Sequence, residues 1–162
     1  DNGLAIPSTA RDLLKIAVIN RYAPDAPPAV AFIRGFGLKR GAIASSVAHD
    51  SHNIVAVGTS DAALAAAVNA VIRNTGGLAV TDGSREETLP LPVAGLMSPE
   101  PGEQVAAAYA RLQKMAVDDL GATLAAPFMT LSFMPLLVIP ALKLSDRGLF
   151  DAAQFRLTPL FE

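Results

Sequence analysis

Hydrophobic positions run through the first half of the chain in short, nearly unbroken blocks. LKIAVINRY (14–22) and AVAFIRGFG (29–37) are β-branched and aromatic, and the proline-rich APDAPP between them predicts two strands joined by a turn. GAIASSVA (41–48) and NIVAVGT (53–59) predict two more, and their lack of polar alternation is what strands covered on both faces require. The period then changes. Ser60 stands as an N-cap, Asp61 suits the positive end of a helix dipole, and Leu64, Val68, Val71 and Ile72 share one helical face until Gly76 and Gly77. LAVTDGSREETLPLP predicts a strand, a turn at Asp82 and Gly83, and a second strand with a charged outer face. A second helix is expected from about Ser98 and Pro99 to Gly121, with Val105, Tyr109, Leu112 and Ala116 as its stripe. Beyond Pro127 prolines interrupt each apolar run, which predicts irregular packing segments, an SDRG turn and an edge strand near 154–159. Strands outnumber helices and one clean strand-helix-strand unit is visible. The expected class is therefore α+β, in two layers, with a mixed β-sheet and two main helices.

Composition sharpens this picture. The 162 residues suit a single domain with its own core. Residues 1–11 are small and polar and are expected to be a connector, with the domain at 12–162. Asp1 replaces an initiator Met, so the chain is expected to be the later part of a longer product. Apolar residues make up 51% of it, which predicts a face buried against something else and leaves room for a homo-oligomer. The uncharged stretch from Gly121 to Leu142 has the length of a membrane span, but Pro127, Pro135 and Pro140 break it, and no membrane association is expected. A net charge of −2, with no basic cluster longer than LKR, argues against a nucleic-acid surface. Cysteine is absent, which excludes disulfides, thiolate metal sites and a Cys nucleophile, and fits a reducing, cytoplasmic location.

Both histidines of the chain fall in one polar string, HDSHN, between two apolar blocks. His49, Asp50 and His52 are candidates for proton transfer, and Ser51 and Asn53 for hydrogen bonding to a substrate. The simpler reading is a turn closed by Asp50, Ser51 and Asn53, with the imidazoles bonded to backbone. A metal needs three or four ligands and no further His or Cys is present, so no metal site is expected within the chain. RGFGLKRG (34–41) has glycines after a strand, but with G-x-G-x-x-x-G spacing and a strand following, so it predicts a close-packed bend with Lys39 and Arg40 at a solvated tip. Ser45 and Ser46 lie near His49 with no oxyanion-hole signal and read as packing residues.

Taken together, KIAVINRY, GFGLKRGAIASSVAHDSHNIVAVG, LPLPVAGLMS and PFMTLSFMPLLVIPALKLSDRGL resemble the C-terminal domain of the bacterial and archaeal adenine deaminases of the amidohydrolase superfamily, from about Asp12 to about Phe155. The resemblance implies hydrolysis of adenine to hypoxanthine and ammonia in purine salvage. It also implies a metal-dependent (β/α)₈ barrel as upstream partner domain, holding iron or manganese. The barrel's His-x-His signature does not occur here, and the chain is too short for such a barrel. The Cys-x-x-Cys of zinc cytidine deaminases is missing as well. What carries over is HDSHN, expected to reach over the barrel mouth and to bind adenine, shuttle a proton or exclude water. The chain is expected to be inactive alone. The alternative is a stand-alone domain that binds a purine or a protein without catalysis, which an upstream barrel in the same gene would rule out. A self-sufficient hydrolase built on His49 and Asp50 lacks a nucleophile or metal.

Overall fold

The computed structural model describes residues 5–161; residues 1–4 of the expected connector lie outside them. Five apolar blocks become strands β1 (Leu14–Ile19), β2 (Ala29–Ile33), β3 (Ala42–Ser45), β4 (Ile54–Gly58) and β5 (Gly77–Thr81), and β6 (Glu86–Pro90) follows the Asp82 turn. They form one sheet in the order β2-β1-β4-β3-β5-β6. β3, β4 and β5 are buried at every residue, as continuous apolar runs require.

Helix α1 (Asp61–Arg73) covers one face of β3, β4 and β5. Its N-cap is Ser60, whose Oγ accepts from the Ala63 N–H at 3.2 Å. The face beneath it is built of small residues, Ala42, Ala44, Ala56 and Ala79, which meet Ala63, Ala67 and Ala70 of the helix. Ile72 was expected on the buried stripe but is 52% exposed. The alanines, rather than the larger residues, mark the centre of the buried face, and that centre turns Ile72 outward.

The opposite face carries the larger core. Ile43, Val55, Val57, Leu78 and Val80 point there, against α2 (Gly102–Lys114), a π-helical turn (Met115–Asp119) and α3 (Pro127–Ser132), which supply Leu112, Met115, Phe128 and Leu131. The α+β class holds and there is no closed barrel among the described elements. Two details differ from expectation. Helices on both faces make three layers instead of two, because the central strands are apolar on both sides. The sheet is antiparallel at every pairing rather than mixed. The β4-α1-β5 unit does leave β4 and β5 parallel, but β3 lies between them and bonds both in the antiparallel sense.

The end of the chain departs further. β7 (Leu142–Ser145) and β8 (Gly148–Asp151) flank the SDRG turn, and β9 (Arg156–Leu157) completes a second, three-stranded sheet, so the expected strand near 154–159 is two residues long. Leu144 and Leu149 of this sheet pack into the larger core. No described helix is long and apolar enough to cross a membrane.

The glycine-rich bend after β2 is occupied by the protein itself. Gly35 and Gly37 donate their N–H groups to the two oxygens of Asp12 at 2.7 and 2.8 Å. Gly41, at φ +70°, sits so close that an added Cβ would overlap the Thr81 carbonyl. These amides hold a carboxylate of the chain, as a packing bend should.

Candidate functional site

HDSHN is the connection between β3 and β4, at one end of the sheet's centre. Burial ends abruptly along it: Ala48 is fully buried, His49 and His52 are partly exposed, Asp50 and Ser51 are open to solvent, and Asn53 is buried again. The loop is fixed through its backbone. The His49 N–H donates to Ser132 O at the end of α3 (2.9 Å), and the His52 N–H donates to Ala48 O (2.7 Å). The two imidazoles approach edge to face with centroids 5.9 Å apart, and the His49 ring lies 5.0 Å from that of Phe133. His52 Nδ1 is buried with no hydrogen-bond partner among the described residues. His52 also has φ +52°, a left-handed conformation that a side-chain-bearing residue adopts at a cost.

Of the sequence-predicted group, the loop brings His49, Asp50, Ser51 and His52 to the surface together. Asn53 turns the other way, and its Oδ1 accepts from the Arg21 N–H at 3.3 Å. Ser45 and Ser46 are both buried and bonded to backbone. Ser45 Oγ accepts from the Val47 N–H at 3.0 Å. Ser46 Oγ accepts from the Gly77 N–H at 2.7 Å and donates to Gly95 O at 2.6 Å. Neither hydroxyl faces a base.

His49 stands at the edge of a cleft of about 660 Å³ on the α2-α3 face, floored by Leu78, Leu89 and Phe128. Tyr109 and Glu100 contribute polar atoms there, and burial pushes the Tyr109 phenol pKa up, so it remains a neutral donor. Met97, Met129 and Phe133 are exposed around the cleft and the histidine, an apolar rim next to a polar loop.

The sequence reading missed the residues that hold the loop from its other side, Arg21 and Tyr22. The available signal was three polar residues, Asn20, Arg21 and Tyr22, closing an otherwise apolar strand block. Among the described residues no group of three His, Asp or Glu side chains is placed to hold a metal ion.

Comparison with known proteins agrees with the sequence resemblance. Residues 1–156 match the family described as the adenine deaminase C-terminal domain. Among similar proteins, the adenine deaminase of Salinibacter ruber is 59% identical over 162 residues, covering 99% of this chain and 29% of its own length. That of Sulfurovum is 60% identical over 146 residues, 90% of this chain and 27% of its own. That of Methanosarcina barkeri is 52% identical over 161 residues, 99% and 29% respectively. The chain thus spans less than a third of the length of these relatives.

Proposed function

Because the chain belongs to the adenine deaminase C-terminal domain family, we propose that it is the accessory part of an enzyme that hydrolyses adenine to hypoxanthine and ammonia in the cytoplasm. The divalent metal, iron or manganese, that the family resemblance implies belongs in this reading to an upstream barrel domain of the longer protein. The exposed rim of Met97, Met129 and Phe133 packs on that domain and carries His49, Asp50, Ser51 and His52 to the mouth of its site. One observation supports this reading above others: the His49 imidazole lies at the edge of an apolar cleft with the His52 ring 5.9 Å behind it, whose buried Nδ1 has no partner among the described residues. An imidazole there can hydrogen-bond a purine edge or relay a proton to the departing amine. Asn53 has its carboxamide oxygen on the Arg21 backbone and shapes the loop.

The test is ammonia release from adenine by the full-length protein and by this chain, each with ferrous or manganous ion. Turnover is expected in the longer protein alone. His49→Ala and His52→Ala in the longer protein are each expected to change kcat or KM by about tenfold or more. Unchanged kcat and KM in both variants would remove the loop from the site. The cleft also supports a second reading, a domain that binds a purine without catalysis, because its volume of about 660 Å³ lies in the range of small-molecule sites and its floor is apolar. Calorimetric binding of adenine to this chain, with no turnover in the full-length protein, would establish that reading.

A further inference from the structure

The segment after β1 links the candidate loop to two other loops. Asn20 Oδ1 accepts from the N–H groups of Tyr22 (2.8 Å) and Ala23 (3.1 Å), which sets the chain reversal after the strand. Its Nδ2 donates to Asp146 Oδ2 at 2.8 Å in the β7-β8 turn. The Arg21 guanidinium donates to Ala94 O in the loop after β6 and lies 5.2 Å over the Tyr22 ring. From this braced segment two bonds reach the histidine loop. The Arg21 N–H donates to Asn53 Oδ1 (3.3 Å), and the Tyr22 hydroxyl donates to Ser51 O (3.1 Å).

We infer that Tyr22 is a positioning residue for the histidine loop, holding the Ser51 carbonyl so that His49 and His52 keep a fixed separation. This inference rests on the site role proposed above for that loop. The geometry favours positioning over a packing role for one reason: Tyr22 is 64% exposed, so its ring adds little to the core, while its hydroxyl is bonded to the peptide immediately before His52. The other anchor of the loop, the His49 N–H on Ser132 O, belongs to α3. On the His52 side the loop is held by the His52 N–H on Ala48 O, by Asn53 on the Arg21 N–H and by the Tyr22 hydroxyl, and removal of that hydroxyl loosens this side while the His49 N–H keeps its bond to Ser132 O. Small misplacements of reacting groups are costly in rate, whereas an exposed hydrogen bond is worth little in stability.

The experiment uses the full-length protein with Tyr22→Phe, His49→Ala and the double variant, assayed for adenine hydrolysis and melted in parallel. Tyr22→Phe is expected to lower kcat about three- to tenfold with little change in Tm, and to cost less in the His49→Ala background than in the wild type. Wild-type kcat in Tyr22→Phe beside an impaired His49→Ala would overturn the positioning role and leave the loop's site role standing. Losses that multiply independently, or a kcat loss matched by a drop in Tm, would also overturn it. If neither variant alters kcat or KM, the site role of the loop fails, and this inference fails with it.

Discussion

Ser46→Ala removes a single oxygen and tests whether the serines beside the histidine loop are structural. Ser46 is fully buried, and its Oγ joins two backbone groups from different segments, the Gly77 N–H at 2.7 Å and the Gly95 carbonyl at 2.6 Å. Both distances lie at the short end of the ordinary range, and both bonds are shielded from water. A net bond contributes about 0.5–1.5 kcal/mol, and a buried group left without a partner costs a further 1–3 kcal/mol. Alanine leaves the Gly77 N–H and the Gly95 carbonyl without the hydroxyl that joins them. The expected loss is about 2–4 kcal/mol, which corresponds to a fall of roughly 4–16 °C in Tm for a chain of this size. Urea unfolding of the 162-residue chain would show it as a midpoint lowered by about 1 M or more at unchanged slope. Ser45→Ala is the internal control, because Ser45 Oγ turns only to the N–H and carbonyl of Val47, two residues away. It is expected to cost about 1 kcal/mol or less. Equal losses in the two variants, or less than about 0.5 kcal/mol for Ser46→Ala, would refute the cross-linking role.

Gly58→Ala should destabilise the small-residue face, since its Cβ would lie 2.8 Å from Ala42 Cβ and 3.0 Å from Leu64 Cγ. The expected cost is about 1–3 kcal/mol by thermal melting, and a neutral result would mean that α1 can lift from the sheet freely. The Asp82 carboxyl is lowered from 3.8 to about 2, first by the Arg85 N–H and then by the N–H and hydroxyl of Ser84. A folded value below the unfolded one means the β5-β6 turn keeps this support above pH 4 and loses it as pH falls through about 2. Carbon-detected NMR titration of Asp82 should place its midpoint there, and Asp82→Asn should remove the pH dependence of the turn's shifts.

Where the sequence encodes structure through a local pattern, the pattern was readable. Ser60 capped α1, the Asp82-Gly83 turn joined β5 to β6, and Leu112 and Ala116 were buried as their spacing implies. The second helix began later than expected, at Gly102, because Pro99 and Pro101 hold the chain extended before it, with Ser98 Oγ bonded to the Glu100 N–H. The second sheet was hidden because β7 and β8 are four residues each and their burial comes from packing on β1 and β2, a contact remote in sequence. The same limit applies at the candidate site. HDSHN stood out by composition, and the polar Asn20-Arg21-Tyr22 segment was visible as well, but that this segment and the helix end at Ser132 meet the loop is decided only by the fold.

The string that carries both histidines is also the link that closes the β3-β4 hairpin, whose register runs from Ala42 opposite Gly58 to Ser45 opposite Val55. That pairing is the most local contact at the sheet's centre, whereas β3 meets β5 only across α1, with Ala42 opposite Thr81. Loop closure is fastest for short separations, so the hairpin is expected to form before β5 docks on the edge of β3. Changes to the loop are therefore expected to alter the rate at which the native sheet assembles, which stopped-flow refolding would show.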